Sequence, residues 1–118
     1  MSKPLALVVE DDPLQNRIFS LALENSFTIE TFADGSHAIA RLADVTPKLV
    51  ILDINLPGAS GAQVLDVIRN DKRFTATRVI LATANSQEAE FLRDKSDIVL
   101  LKPISPIQLR EFADRMKA

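Results

Sequence analysis

Acids, a threonine and a lysine stand at the ends of short apolar runs in this chain. Leu7-Val8-Val9 ends in Glu10-Asp11-Asp12, and Leu49-Val50-Ile51-Leu52 ends in Asp53. Val79-Ile80-Leu81-Ala82 ends in Thr83, and Ile98-Val99-Leu100-Leu101 ends in Lys102. Carboxylates brought together repel, by roughly 3 kcal/mol per pair at about 5 Å and an effective dielectric of about 20. A hard divalent cation removes that cost. Mg²⁺, or Mn²⁺ in its place, suits a set of oxygen donors and leaves room for water and phosphate oxygens. Glu10 and Asp11 would hold such an ion and Asp53 would share it. The backbone carbonyl of Asn55 could add one more oxygen. Asp53 is also the candidate nucleophile. The turn-rich Leu56-Pro57-Gly58-Ala59-Ser60-Gly61 that follows should present it to solvent. A phosphoryl group taken up by Asp53 would form a mixed anhydride. Lys102 would pair with one phosphoryl oxygen, and Thr83 would donate a hydrogen bond to another. Phosphoryl transfer depends mostly on such positioning and electrostatics.

For these groups to meet, their runs must be strands of one parallel sheet. Runs of about four aliphatic residues read as strands buried on both faces. Parallel strands bring their carboxyl ends to one edge, where open α/β sheets bind ligands. The first strand is predicted at 5–9, directly after Met1-Ser2-Lys3-Pro4 and with no leader segment. A helix follows at about 13–25, with Leu14, Ile18, Leu21 and Ala22 on one face. Asp12-Pro13 starts it, an oxygen-bearing cap before a first-turn proline. The polar strand 28–32 suits an edge, and a helix follows at about 36–43. After the strand at 49–53, Ser60 and Gln63 fit a capping box for a helix carrying Val64, Leu65 and Ile68. Residues 70–77 read as a loop before the strand at 78–82. Asn85 to Glu88 caps a short helix ending near Arg93, and a strand follows at 97–101. Ser105-Pro106 opens the last helix, with Gln108 completing a second box and Leu109, Phe112, Ala113 and Met116 as its stripe.

The pattern is strand-helix five times over, one α/β domain across residues 1–118. Right-handed crossovers place helices on both faces of the sheet. With the polar strand at an edge, the order is 2-1-3-4-5. It reverses between the first and third strands, which carry Glu10, Asp11 and Asp53.

The totals narrow the function. The chain has 118 residues, 47% hydrophobic and 25% charged, as expected of one globular domain. Its net charge is -2, with no basic run for nucleic acid. Cysteine is absent, which excludes a thiolate metal site and fits the cytoplasm. No apolar stretch has the length of a membrane span. Trp and Tyr are absent, which disfavours a flavin sandwich, and no Gly-Lys phosphate loop is present. His37, the one histidine, falls in a helix-like segment and reads as a surface residue.

Singly, each candidate has an ordinary explanation: a turn cap, a strand-end hydroxyl, a solvated lysine. Jointly, and in this order, they resemble the receiver domain of bacterial two-component response regulators over about residues 4–117. The matching segments are Val8-Val9-Glu10-Asp11-Asp12, Leu52-Asp53-Ile54-Asn55-Leu56-Pro57-Gly58 with Gly61, Ala82-Thr83-Ala84 and Leu101-Lys102-Pro103. The resemblance implies a flavodoxin-like three-layer sandwich and a magnesium-dependent phosphorylation of Asp53. It implies a donor phosphohistidine on a sensor histidine kinase or a histidine phosphotransfer protein. Glu10 and Asp11 match the metal-binding pair, Thr83 the switch hydroxyl and Lys102 the family's lysine. Residues at Asn55 and Asn85 are placed to tune phosphoryl loss. Such a domain catalyses only its own phosphoryl transfer and slow dephosphorylation. It would switch the face of the fourth helix, fifth strand and fifth helix for a second copy or a downstream protein, with no nucleic acid or membrane bound.

Two departures stand out. Many relatives carry an aromatic residue where this chain has Val99, so a ring flip cannot be the readout. Asp94-Lys95-Ser96-Asp97 also lacks the glycine turn common there, so the fourth helix should be short or displaced. An aspartate-nucleophile phosphatase is the rival enzyme, but Asn55 stands where its general acid would be. A non-phosphorylated binding module is the other rival.

Overall fold

The aliphatic runs do pair as strands of one parallel sheet. The computed structural model describes residues 3–117. Met1 and Ser2, expected to lead into the first strand, lie outside the described residues. The elements are β1 (Leu5–Val9), α1 (Pro13–Leu23), β2 (Thr28–Phe32), α2 (Gly35–Leu42), β3 (Leu49–Asp53), α3 (Gly61–Arg69), β4 (Arg78–Thr83), α4 (Ser86–Leu92), β5 (Ile98–Leu101) and α5 (Pro106–Met116). Sheet order is β2-β1-β3-β4-β5, with every pair parallel. This is the expected doubly wound, flavodoxin-like α/β fold, with the reversal between β1 and β3.

Alternation along the strands builds two cores. Leu7, Val9, Val50, Leu52, Val79 and Leu81 face α2 and α3. Ala6, Val8, Leu49, Ile51, Ile80 and Ala82 face α1 and α5. The central strands are therefore buried on both sides, while β2 carries the polar pattern of an edge.

The helix starts follow their caps. Asp12 Oδ1 accepts from Leu14 N–H at 3.0 Å. Ser60 and Gln63 form both halves of their capping box. In α5 only one half forms: Ser105 Oγ accepts from Gln108 N–H at 3.3 Å.

The predicted face of α1 is corrected. Leu14 and Leu21 are exposed, at 66% and 50%, while Phe19 and Leu23 are buried. Ile18 and Ala22 pack beside them. The stripe is rotated because Phe19 and Leu23, four residues apart, bury more apolar area than Leu14 at the helix start. The loop at 70–77 also holds a 3-10 turn, Lys72–Phe74, that buries Phe74. A second such turn, Arg93–Lys95, follows the short α4.

The loop between β3 and α3 is held by glycine. Gly61 N–H donates to Ile54 O at 2.9 Å. A Cβ at Gly61 would overlap the Asp53 carbonyl oxygen and the Ile54 Cα, both backbone atoms. Gly61→Ala should therefore destabilise the domain by about 2–3 kcal/mol, as overpacking against rigid atoms does. Urea unfolding measures it, and a wild-type midpoint would contradict the contact.

Candidate phosphoryl and metal site

Strand parity decides which side chains meet. Glu10 continues the set of Ala6 and Val8, Asp53 that of Leu49 and Ile51, and Lys102 that of Ile98 and Leu100. All three therefore leave the sheet on the α1 and α5 side. Thr83 continues Val79 and Leu81 on the other side.

The structure brings the three expected acids together. One carboxylate oxygen each from Glu10, Asp11 and Asp53 lie within 4.8 Å of one another. Lys102 Nζ donates to Glu10 Oε1 at 2.6 Å and to Asp53 Oδ2 at 3.2 Å. Asp12 N–H donates to Glu10 Oε2 at 3.1 Å, and Asn55 N–H donates to Asp53 Oδ1 at 3.1 Å. Both buried carboxylates thus have both oxygens partnered, as buried charge requires.

Burial is uneven across the trio. Asp11 is exposed. Glu10 retains 1% exposure and Asp53 5%. The expectation that Asp53 is presented to solvent is thereby corrected. Lys102 lies on one of its oxygens, and Gly61 sits directly on its backbone. Asp53 nevertheless shares the rim of Glu10, Asp11 and Lys102.

The electrostatics follow from this burial. Desolvation lifts the Glu10 carboxyl from 4.5 to about 7; the Lys102 and Asp12 hydrogen bonds oppose the rise and Asp53 adds to it. For Lys102, burial works against the ammonium, but the hydrogen bonds and charges of Glu10 and Asp53 outweigh it and raise its pKa. An all-oxygen set of three acids facing one lysine fits a hard divalent cation, which would take the remaining negative charge.

The other predicted residues are placed as follows. Thr83 is fully buried, and its Oγ1 accepts from Asn85 N–H at 3.0 Å. Among the described residues, its hydroxyl makes no hydrogen bond to the acids. Asn85 Oδ1 caps α4, accepting from the N–H groups of Gln87 and Glu88 at 2.9 and 3.1 Å. Val99 is half-buried against the α2 and α3 core. Asn55 is exposed beside Asp53. His37 is a surface residue, with Nδ1 2.6 Å from Asp34 Oδ2 and its side chain 80% exposed.

Sequence reasoning missed Asn16. Its side-chain amide donates to the carbonyl oxygens of Glu10 and Phe32. A signal was present: Asn16 shares a helix face with Phe19 and Leu23, and a polar residue in an apolar stripe needs a partner.

The family model for the response regulator receiver domain matches residues 6–114. The chain belongs to that family. The receiver is 34% identical to the transcriptional regulatory protein ResD of Bacillus subtilis, over 95% of this chain and 46% of ResD. It is 37% identical to the regulator of RpoS of Escherichia coli K12, over 95% of this chain and 35% of that protein. It therefore spans less than half the length of these curated relatives. It superposes on the receiver domain of sensor histidine kinase PA1611 from Pseudomonas aeruginosa with a TM-score of 0.87, at 23% identity and over 98% of each chain. That structure has a magnesium ion coordinated in its active site cleft. At this identity the likeness shows a shared fold.

Proposed function

We propose that this receiver is a phosphorylation switch, with Asp53 as the acceptor of a phosphoryl group from a phosphohistidine. The observation that carries it is the Lys102 ammonium bonded to both Glu10 and Asp53 beside exposed Asp11. The donor is a sensor histidine kinase or a histidine phosphotransfer protein, as expected for this family. Glu10, Asp11 and Asp53, with the Asn55 carbonyl, would hold Mg²⁺ or Mn²⁺. The bound cation would screen the negative charge of the incoming group.

Asp53 supplies the attacking oxygen. A bond forms from it to phosphorus as the bond from phosphorus to the imidazole nitrogen breaks. The electron pair of that broken bond stays on the imidazole. Oδ2, the oxygen shared with Lys102, is reached only if Lys102 yields, and its ammonium then pairs with a phosphoryl oxygen. Thr83 Oγ1 accepts from Asn85 N–H and keeps its own O–H to donate, so turning that hydroxyl toward the new charge would pull on the Asn85 bond. The start of α4 hangs on Asn85, so this pull would reshape the loop after β4. The face of α4, β5 and α5 then changes its affinity for a second copy or a downstream protein. Phe91, Leu101 and Ile107 are exposed apolar residues on these elements. The change can be no larger than the difference in contacts between the two states. Asn55, whose N–H bonds Asp53, and Asn85, at the start of α4, would tune how long the phosphoryl group lasts.

Incubation with Mg²⁺ and acetyl phosphate tests the proposal. A switch forms one acid-stable, base-labile adduct and loses it slowly. Turnover of many equivalents would make it a phosphatase, and no adduct would leave it a binding module. Cation binding alone is also measurable. Millimolar Mg²⁺ should raise the melting temperature by about 5 °C or more, because it binds the folded acid cluster. Asp11→Asn should remove most of that rise, and an unchanged rise would place the ion elsewhere.

A further inference from the structure

Two strand ends are tied to α1 through one side chain. Asn16 Nδ2 donates to the Glu10 carbonyl oxygen at 3.0 Å and to the Phe32 carbonyl oxygen at 3.3 Å. Phe32 ends β2, and Glu10 is the first residue past β1. Asn16 is itself fixed in α1. Its N–H donates to Asp12 O at 2.9 Å, and its carbonyl accepts from Ser20 Oγ at 2.8 Å.

The Glu10 carbonyl belongs to the peptide that joins Glu10 to Asp11. A peptide unit is planar and includes both Cα atoms. Holding that oxygen stops the peptide plane from rotating about the line between the two Cα atoms, a rotation that would change ψ of Glu10 and φ of Asp11 and re-aim both side chains. In continued strand geometry, adjacent side chains point to opposite faces. Here the Glu10 and Asp11 carboxylates approach within 4.8 Å. The chain must bend at this peptide, and the bend leaves its carbonyl outside the sheet ladder. Asn16 supplies the donor.

We infer that Asn16 is a positioning residue: it locks the Glu10–Asp11 peptide so that both carboxylates face one cation. The inference rests on the metal site proposed above. Groups that orient metal ligands through a hydrogen bond are worth about 10–100-fold in metal affinity.

The test compares wild type with Asn16→Leu, which keeps the branching and volume but has no N–H. Mg²⁺ alone is titrated calorimetrically, and labelling by acetyl phosphate is followed at low and at saturating Mg²⁺. In the variant the Kd for Mg²⁺ should rise about tenfold. The labelling rate should fall at low Mg²⁺ and return to near wild type at saturation. A lower melting temperature with an unchanged Kd would show a structural role only and overturn the inference. Should Asn16→Leu fail to fold, Asn16→Ala admits water to both carbonyls and is judged by the same Kd. A wild type that binds no Mg²⁺ would instead overturn the site itself, a distinguishable result.

Discussion

Asp53→Asn should abolish the base-labile adduct formed with acetyl phosphate while leaving the domain folded. The amide has no anionic oxygen to attack phosphorus, so labelling should fall by more than about 100-fold. The fold should survive, because the side chain keeps its shape, its carbonyl can still accept from Asn55 N–H, and Lys102, which loses its acceptor on residue 53, keeps Glu10 Oε1. Removing one of three clustered acids also relieves repulsion on Glu10, whose pKa is raised in part by Asp53. The melting temperature should therefore hold or rise. Mass spectrometry of the intact protein reads the adduct, and calorimetry reads the fold. Labelling of the variant at the wild-type level would place the phosphoryl group on another residue and end the proposal.

Mg²⁺ affinity should climb with pH and level off above about 7. The cation needs Glu10 ionised, and burial has lifted that carboxyl from 4.5 to about 7. Below this value each bound ion must expel a proton. Affinity should then change roughly 30-fold between about pH 5.5 and pH 8. Without metal the sign for folding is opposite. Folded Glu10 holds its proton more tightly than the unfolded chain does. Stability is therefore greatest below 4.5 on this account and falls as pH rises to about 7. The loss is on the order of 3 kcal/mol for a group this deeply buried. Calorimetric titrations in two buffers would count the released protons, and urea unfolding without metal would read the second slope. A flat affinity over this range would mean that Glu10 is already ionised or does not touch the ion.

The fold was legible because its signals were local and repeated. Aliphatic runs, a polar run for the edge strand and oxygen-bearing caps each stated their role within a few residues. The acid-lysine site was legible for the same reason, since parallel strands must deliver their ends to one edge. What stayed hidden depended on packing. The face of α1 turned on which of two overlapping stripes buries more, and Phe19 with Leu23 prevailed over Leu14 with Leu21. Burial of Asp53 followed from Gly61 closing on its backbone and from the reach of Lys102, neither of which a strand-end position reveals. Thr83 falls on the other parity from Glu10 and Asp53, which the alternation along β4 makes countable from the sequence. Asn16 acts on carbonyls of residues six and sixteen positions away, so only the assembled sheet shows its partners.

The ammonium of Lys102 bridging Glu10 and Asp53 has a consequence for assembly. The crevice carries its own placeholder for a counter-ion. The chain can close its sheet without a metal, because the tethered nitrogen offsets the carboxylates. On the function proposed above, folding and metal loading would be separate events, and the same lysine would remain in place to meet the phosphoryl group.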